Sequence, residues 1–367
     1  MNTVKIGIIG CGNISGNYFR TVQSFDILEC VACADAFPER AAQAAAEYGI
    51  PRPCTVDELL AMPEIRIVVN LTNPQAHKDI SLAAIAAGKN VFTEKPLAVN
   101  RTEGAEILAA AQAAGVLVGA APSTPLGGGL QTCRKLLDEG AIGRPVAAAA
   151  FMMSRGHEHW HPNPEYYYKP GAGPMFDMGP YYLTALTTLL GPVVRQCGAA
   201  GILIGERTIT SEPLKGHKII VETPDHVTGT LEFANGAIGT IITTFATYAS
   251  RLPNIEIYGT EGTLGVPDPN TLGGPVLLAR ERGPFEEVSL THGHTAGREQ
   301  WGLGVVDMAY ALLEGRPHRQ TGAQAYHVLD LMQGFLECAA MGAYHQVTST
   351  FTRPAPLPLG LDERALD

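Results

Sequence analysis

The run Val4-Lys5-Ile6-Gly7-Ile8-Ile9 passes without a break into Gly10-Cys11-Gly12-Asn13-Ile14-Ser15. A short apolar stretch ending on two glycines one residue apart limits what can follow more than any composition does. The stretch reads as a buried parallel strand. Gly10 permits a tight turn, Gly12 lets backbone come close to a ligand, and residues 13–25 can form a helix whose N-terminus faces that turn. Free N–H groups and the positive end of a helix dipole are what a pyrophosphate needs. The third glycine of the dinucleotide fingerprint is replaced by Ser15, with Gly16 next, and a small residue still lets helix and strand pack closely. Gly10, Gly12, Asn13 and Ile14 are therefore candidate cofactor contacts.

The pattern that follows repeats strand and helix. Leu28–Ala34 is the next strand and Pro38–Tyr48 an alanine-rich helix. Thr55-x-x-Glu58 is a capping box. Residues 65–71 form a strand, 74–87 a helix with Pro at its first turn and Gly88 as C-cap, 90–92 a strand, 102–114 a helix and 116–119 a strand. This rhythm predicts a doubly wound parallel sheet, the Rossmann arrangement. Asp35 ends the second strand 25 residues after Gly10, where a carboxylate accepts hydrogen bonds from an adenosine ribose. It would repel a 2′-phosphate, which favours NAD over NADP; Arg40 belongs to the solvated face of its helix. Thr72 and Asn73 close another strand and face the same crevice, with His77 one turn further along, as a contact or as a surface side chain. Glu94-Lys95-Pro96 follows the strand at 90–92 and projects into that crevice, where Lys95 can hold a substrate hydroxyl.

After about residue 145 the texture changes to strands spaced for hairpins, with Asn235-Gly236 a strong turn signal between two of them. Helices are expected over 180–190, 302–314 and 322–341, and residues 265–274 read as a Pro/Gly-rich surface loop. The expectation is an α+β domain with a mostly antiparallel sheet and helices on one face. A chain of 367 residues suits two domains, here 1–122 and 123–367. Hydrophobic residues at 46% supply a sizeable core, and 36 acidic against 26 basic residues, net −10 with no basic block, argue against nucleic acid or an anionic membrane as partner. No apolar run approaches about 18 residues. The first residues, Met1 to Lys5, lack the layout of a signal peptide, so a cytoplasmic protein is expected. Cys30 and Cys33 lie inside an apolar strand and read as ordinary buried thiols, not a redox or metal pair.

Gly7-Ile8-Ile9-Gly10-Cys11-Gly12, the Asn73-Pro74 pair, Glu94-Lys95-Pro96, Gly140-Ala141-Ile142-Gly143, the segment 171–181 and Glu256-Ile257-Tyr258-Gly259-Thr260-Glu261-Gly262-Thr263-Leu264, in this order, resemble the glucose–fructose oxidoreductase / inositol dehydrogenase / rhizopine catabolism (Gfo/Idh/MocA) family over nearly the whole chain. The resemblance implies an NAD(P)-binding domain followed by a domain with a large open sheet. It also implies assembly through that sheet into dimers or tetramers, and chemistry on a ring carbon of sugars, inositols or glycosides. In the family the lysine of E-K-P works with an aspartate and a histidine four residues later. Lys95 and Asp177 match; position 181 is Tyr, as in the glucose–fructose oxidoreductase branch. Tyr181 can accept the proton if a nearby ammonium lowers its pKa from about 10; Tyr182 or a histidine is the alternative. Lys95, Asp177 and Tyr181 are thus the candidate catalytic and substrate-holding set.

In Arg155-Gly156-His157-Glu158-His159-Trp160-His161-Pro162, the histidines alternate and would face one way if extended, a spacing that can ligate a metal. The resemblance implies none. The expectation is a substrate wall made by His157, His159, Trp160, His161 and Tyr168, with Tyr166, Tyr167 and Lys169 beside them. Gln131, the glycines 127–129, His292 and His294 are weaker candidates of the same kind. Three functions follow: an NAD-dependent dehydrogenase of a sugar, glycoside or cyclitol; a redox-neutral NAD-dependent glycosidase, with Tyr181 or one of the histidines between 157 and 161 as base; and a dinucleotide-binding regulator, which retention of Lys95 and Asp177 disfavours.

Overall fold

The computed structural model describes residues 3–295, 297 and 300–367; Met1 and Asn2, part of the leader reading, lie outside the described residues. Among the described residues, β1 (Val4–Ile9), β2 (Leu28–Ala34), β3 (Arg52–Cys54), β4 (Ile67–Asn70), β5 (Asn90–Thr93) and β6 (Val118–Ala120) form a sheet in the order β3-β2-β1-β4-β5-β6. Every pairing in it is parallel. Helices α1 (Ser15–Ser24), α2 (Pro38–Tyr48), α3 (Val56–Leu60), α4 (His77–Ala86) and α5 (Arg101–Ala114) make the connections. Local chemistry sets their ends. Pro38 opens α2 and Gly49, at φ 66°, stops it. Thr55 and Glu58 form the expected capping box on α3. Pro74 opens a short 3-10 turn before α4, so the expected single helix is a turn and a helix. Strand order reverses between β1 and β4, which leaves a crevice at their carboxyl ends.

The second sheet is large and mixed. After α6 (Gly128–Asp138) come β7 (Pro145–Met153), α7 (Gly173–Asp177), α8 (Gly179–Leu190), β8 (Val193–Gly201), the β9 (Glu206–Thr208) and β10 (Lys218–Ile220) ribbon, β11 (His226–Phe233) and β12 (Ile238–Thr244). They are followed by β13 (Ile255–Gly259), β14 (Gly262–Val266), β15 (Val276–Arg280), β16 (Glu286–Val288), α9 (Leu303–Glu314), α10 (Gly322–Met341) and β17 (His345–Gln346). The order is β16-β15-β14-β13-β7-β12-β11-β8-β17, antiparallel except for β12 beside β7. Gly236, at φ 88°, makes the turn between β11 and β12, and Asn235 accepts the Ala237 N–H. One face of this sheet is buried, with Val227, Leu231, Phe233 and Ile241 facing in. The other leaves Val194 and Ile238 half exposed.

The chain's last helices return to the first sheet. Thr321 forms a bridge with Gly119 beside β6, and Arg101 at the start of α5 pairs with Asp330 of α10 at 2.5 Å. No helix among the described residues is long and apolar enough to cross a membrane.

Several local expectations are corrected here. The glycines 127–129 do admit close approach, but of protein backbone. The Gly129 N–H bonds the Leu272 carbonyl at 2.9 Å and the Gly128 N–H bonds the His294 carbonyl at 3.2 Å. The 265–274 stretch is accordingly not a free loop: it begins in β14 and seats buried Leu272 against α6. Gln131 is buried, donating to the Pro125 carbonyl and accepting the Leu357 N–H. His292 and His294 contact the Leu357 and Ala365 carbonyls and so brace the C-terminal tail.

This packing fixes the sign of a substitution. Propensity alone makes Gly129→Ala in α6 stabilising by nearly 1 kcal/mol. A Cβ there would overlap the Gly273 carbonyl oxygen. Gly129→Ala should therefore destabilise by about 1–3 kcal/mol in urea unfolding, whereas Gly205→Ala, which meets nothing within 4 Å, should stay within about 0.5 kcal/mol.

Candidate active site

The crevice at the ends of β1, β2, β4 and β5 gathers the residues expected to hold a dinucleotide. Gly10 sits at φ 99°, and a Cβ on it would lie 2.6 Å from the Leu71 backbone. Gly12 has open space before it. Asn13 and Ile14 precede α1, whose start has no side-chain cap; the Ser15 and Asn17 N–H groups bond the Gly12 and Ile14 carbonyls, and the positive end of the helix faces the crevice. Asp35 accepts the Cys11 N–H at 2.7 Å and the Phe37 N–H at 2.9 Å, which holds its carboxylate at the mouth of the glycine turn. The residues present therefore fit a dinucleotide: a turn only glycine can make, open space at Gly12 beside a helix N-terminus, and a carboxylate at the ribose end. Arg40 is exposed and stacks on Phe37, 4.5 Å from the ring centre.

Thr72 and Asn73 lie at the end of β4. Asn70, buried, accepts the Thr72 hydroxyl and donates to the His77 carbonyl and the Ser81 hydroxyl. His77 does not face the crevice. It is fully buried, with Nδ1 2.7 Å from the Pro96 carbonyl and Nε2 3.0 Å from the Thr72 carbonyl. Burial pushes its pKa down. It clamps two loops together and offers no surface to a ligand, a correction to the expected contact.

Glu94 is held from two sides. The buried Tyr18 hydroxyl donates to Oε1 at 2.8 Å and the Lys95 N–H to Oε2 at 2.9 Å. Tyr18, missed from sequence, sits inside α1 with nothing local to mark it. Lys95 reaches out of the first sheet to Asp177 at the end of α7, donating to its carbonyl at 2.7 Å and to Oδ1 at 3.1 Å. Burial opposes the ammonium, but Asp177, Tyr181 and Glu94 outweigh it and hold the Lys95 pKa above its ordinary value. Burial likewise opposes the Asp177 carboxylate, yet Lys95 and His157 lower its pKa to about 2. Two of the three Lys95 donors are used, which leaves one for a substrate oxygen. Tyr181 lies in the first turn of α8, with Lys95 Nζ 5.3 Å from its ring centre and the Trp301 ring tilted against it at 6.2 Å.

The 155–169 segment winds instead of extending. The Trp160 and His161 N–H groups both bond the His157 carbonyl, so the three histidines diverge. His157 turns inward and sets Nε2 3.0 Å from Asp177 Oδ2. His159 and Trp160 are exposed at the rim, and His161 packs among Trp160, Tyr166 and Tyr167. No group of three or more His, Cys, Asp or Glu among the described residues could hold a metal ion. Tyr168 corrects the expected wall: it is fully buried, its hydroxyl donating to Glu158 and accepting the His157 N–H. Lys169 is drawn away to Glu222 and Glu165.

The Lys95–Asp177 contact has an acid signature. Asp177 titrates at about 2 when folded against 3.8 ordinarily, so its contribution is complete above pH 4 and lost as pH falls towards 2. Lys95, raised, stays charged throughout that window. The contribution is about 2 kcal/mol. The stability gap between wild type and Asp177→Asn, measured by urea unfolding, should narrow by roughly this amount from pH 7 to pH 2; a gap that stays constant would sink the assignment.

Comparison with known proteins follows the same division of the chain. The family model "Oxidoreductase family, NAD-binding Rossmann fold" matches residues 4–121, and "GFO/IDH/MocA C-terminal domain" matches residues 130–265. The chain is 29% identical over 263 residues to 1,5-anhydro-D-fructose reductase of Ensifer adhaerens, covering 70% of this chain and 74% of that one. It is 25% identical to levoglucosan dehydrogenase of Pseudarthrobacter phenanthrenivorans, covering 95% and 99%. The crystal structure of an NAD-binding oxidoreductase from Klebsiella pneumoniae shares the fold, with a TM-score of 0.83 at 22% identity over 95% and 99% of the two chains. The chain belongs to the Gfo/Idh/MocA family of oxidoreductases, with the NAD-binding Rossmann fold in its first third.

Proposed function

We propose that the protein is an NAD-dependent dehydrogenase that oxidises a CH–OH group of a sugar, sugar derivative, glycoside or cyclitol. The observation that carries this reading is the Lys95–Asp177 pair at the mouth of the dinucleotide crevice, with Tyr181 against it. Residues 1–122 carry the cofactor and 123–367 the substrate. Gly10, Gly12, Asn13 and Ile14 receive the pyrophosphate, Asp35 the ribose, and Thr72, Asn73 and Glu94 border the nicotinamide end. When bound, NAD supplies the hydride acceptor for the carbinol carbon.

The chain's own residues orient the alcohol and take its proton. Asp177 fixes the Lys95 ammonium through two bonds, and the remaining Lys95 N–H donates to the carbinol oxygen. Tyr181 accepts the hydroxyl proton; the ammonium beside its ring favours the phenolate. His157 steadies the other Asp177 oxygen. The relatives with names are a reductase and a dehydrogenase, which supports net redox chemistry over redox-neutral glycoside hydrolysis. The outer face of the second sheet, where Val194 and Ile238 are half exposed beside the Arg195–Glu232 pair, supports a homo-oligomer. The seven cysteines are all free thiols, which suits a cytoplasmic enzyme.

Two measurements check the reading. Tyr181→Phe should lower kcat by about 100-fold or more, as removal of a general base does; a loss of only a few-fold across pH would move the role to His157. Wild type should show a higher kcat/KM with NAD than with NADP, and Asp35→Ser should shrink that preference. The opposite order would remove Asp35 from the ribose.

A further inference from the structure

A cavity of about 470 Å³ opens beside the Lys95–Asp177 pair, lined in part by His157, Trp160, Met178, Tyr182, Asn254 and Asp268. It borders the site through His157, which lines the cavity and is bonded to Asp177. Among the described residues that line it, Asp268 is the one carboxylate, and neither Lys nor Arg is present. Asp268 is held by its own turn. Oδ1 accepts the Asn270 N–H at 2.9 Å, and its carbonyl accepts the Thr271 hydroxyl at 2.8 Å. Oδ2 has no hydrogen-bond partner among the described residues.

The geometry points to Asp268 as the residue that sets substrate class: it accepts hydroxyl hydrogens from a neutral polyol ring and turns away a ring that carries a carboxylate. The inference rests on the proposed dehydrogenase reading and narrows it. A partly buried carboxylate oxygen without a partner gains most from a hydroxyl donor, and a sugar or cyclitol brings several. A uronate carboxylate in the same cavity would need a countercharge. Lys95 is already neutralised by Asp177, and Lys169 is held outside by Glu222 and Glu165. Burial raises the Asp268 pKa and, with Asp268 nearby, keeps Tyr182 a neutral phenol. The lining therefore offers the Tyr182 hydroxyl beside the carboxylate and neither a lysine nor an arginine.

The test pairs neutral pyranoses with their carboxylates: glucose with glucuronate, galactose with galacturonate, mannose with mannuronate. Binding to the NAD-loaded enzyme is measured by calorimetry and turnover by NADH formation. Wild type should favour the neutral member of each pair at least about 10-fold. Asp268→Asn and Asp268→Ser, checked for folding by circular dichroism, should weaken the neutral member by about 10- to 100-fold, chiefly in KM, and close the gap. Equal or better binding of the carboxylates to wild type overturns the proposal, as does a gap that survives in a folded variant. The expected binding pattern without NADH would support the cavity assignment while defeating the dehydrogenase reading. NADH from neutral sugars with an unchanged gap would do the reverse.

Discussion

The contact between Lys95 and Asp177 is the constraint on which the rest of the site depends. Lys95 leaves the first sheet at the end of β5, and Asp177 closes α7 over the second sheet. Taking an ammonium and a carboxylate out of water is costly, and a buried pair gives net stability only when its other donors and acceptors are matched. Here they are. The ammonium holds a backbone carbonyl as well as the carboxylate, and the carboxylate's second oxygen takes His157. Glu94 adds its field from the neighbouring position, itself held by Tyr18 from the helix that starts at the glycine turn. One chain of bonds therefore runs from the glycine-turn crevice to the cavity that His157 lines, and each member fixes the next.

A second buried charge set supports the first from beneath. Arg207 of β9 pairs with Glu158 at 3.0 Å and Asp225 at 2.8 Å and also bonds the Arg155 carbonyl. The Tyr168 hydroxyl bridges Glu158 and the His157 N–H. Gly156 is needed at this point, because at φ 102° a Cβ would overlap the Tyr168 hydroxyl. The backbone on either side of His157 is thus set by a guanidinium shared between two carboxylates. That explains how a segment rich in aromatic and charged side chains, which looks like an open wall, keeps one histidine aimed at Asp177 while others meet solvent.

Much of this was legible in the sequence wherever a residue type has one physical use. The bounds of β2 and α2 follow directly from apolar runs and the Pro38 and Gly49 punctuation. Asp35 lies against the turn that Gly10 makes, and Lys95 meets Asp177, which the family resemblance names. Legibility failed where a residue's use is set by what packs against it from far along the chain. The glycines 127–129 signal close approach but not of what, and the answer lies in residues 272–273. Tyr168 resembles its neighbours Tyr166 and Tyr167 until the buried Glu158 claims its hydroxyl. His77 reads as a crevice residue until the Pro96 carbonyl is brought to it by the β4–β5 pairing. Asp268 sits in a stretch whose Pro and Gly say only turn; the end of β14 carries it to the cavity beside α8.

The charge of the chain has a different meaning at the site than over the surface. The net −10 of the whole chain does not set the charge of the pocket, which depends on where the few nearby cations are held. Lys95 is partly buried and neutralised, Lys169 is spent on surface carboxylates, and two of the expected histidines brace the C-terminal tail. What faces the cavity is one carboxylate, a phenol and two imidazoles. In a low-dielectric cleft, such an arrangement selects by hydroxyl count and position more than by charge. In the proposed reaction Lys95, held by Asp177, polarises a single oxygen, which keeps its charge at the carbinol and away from the rest of the ring.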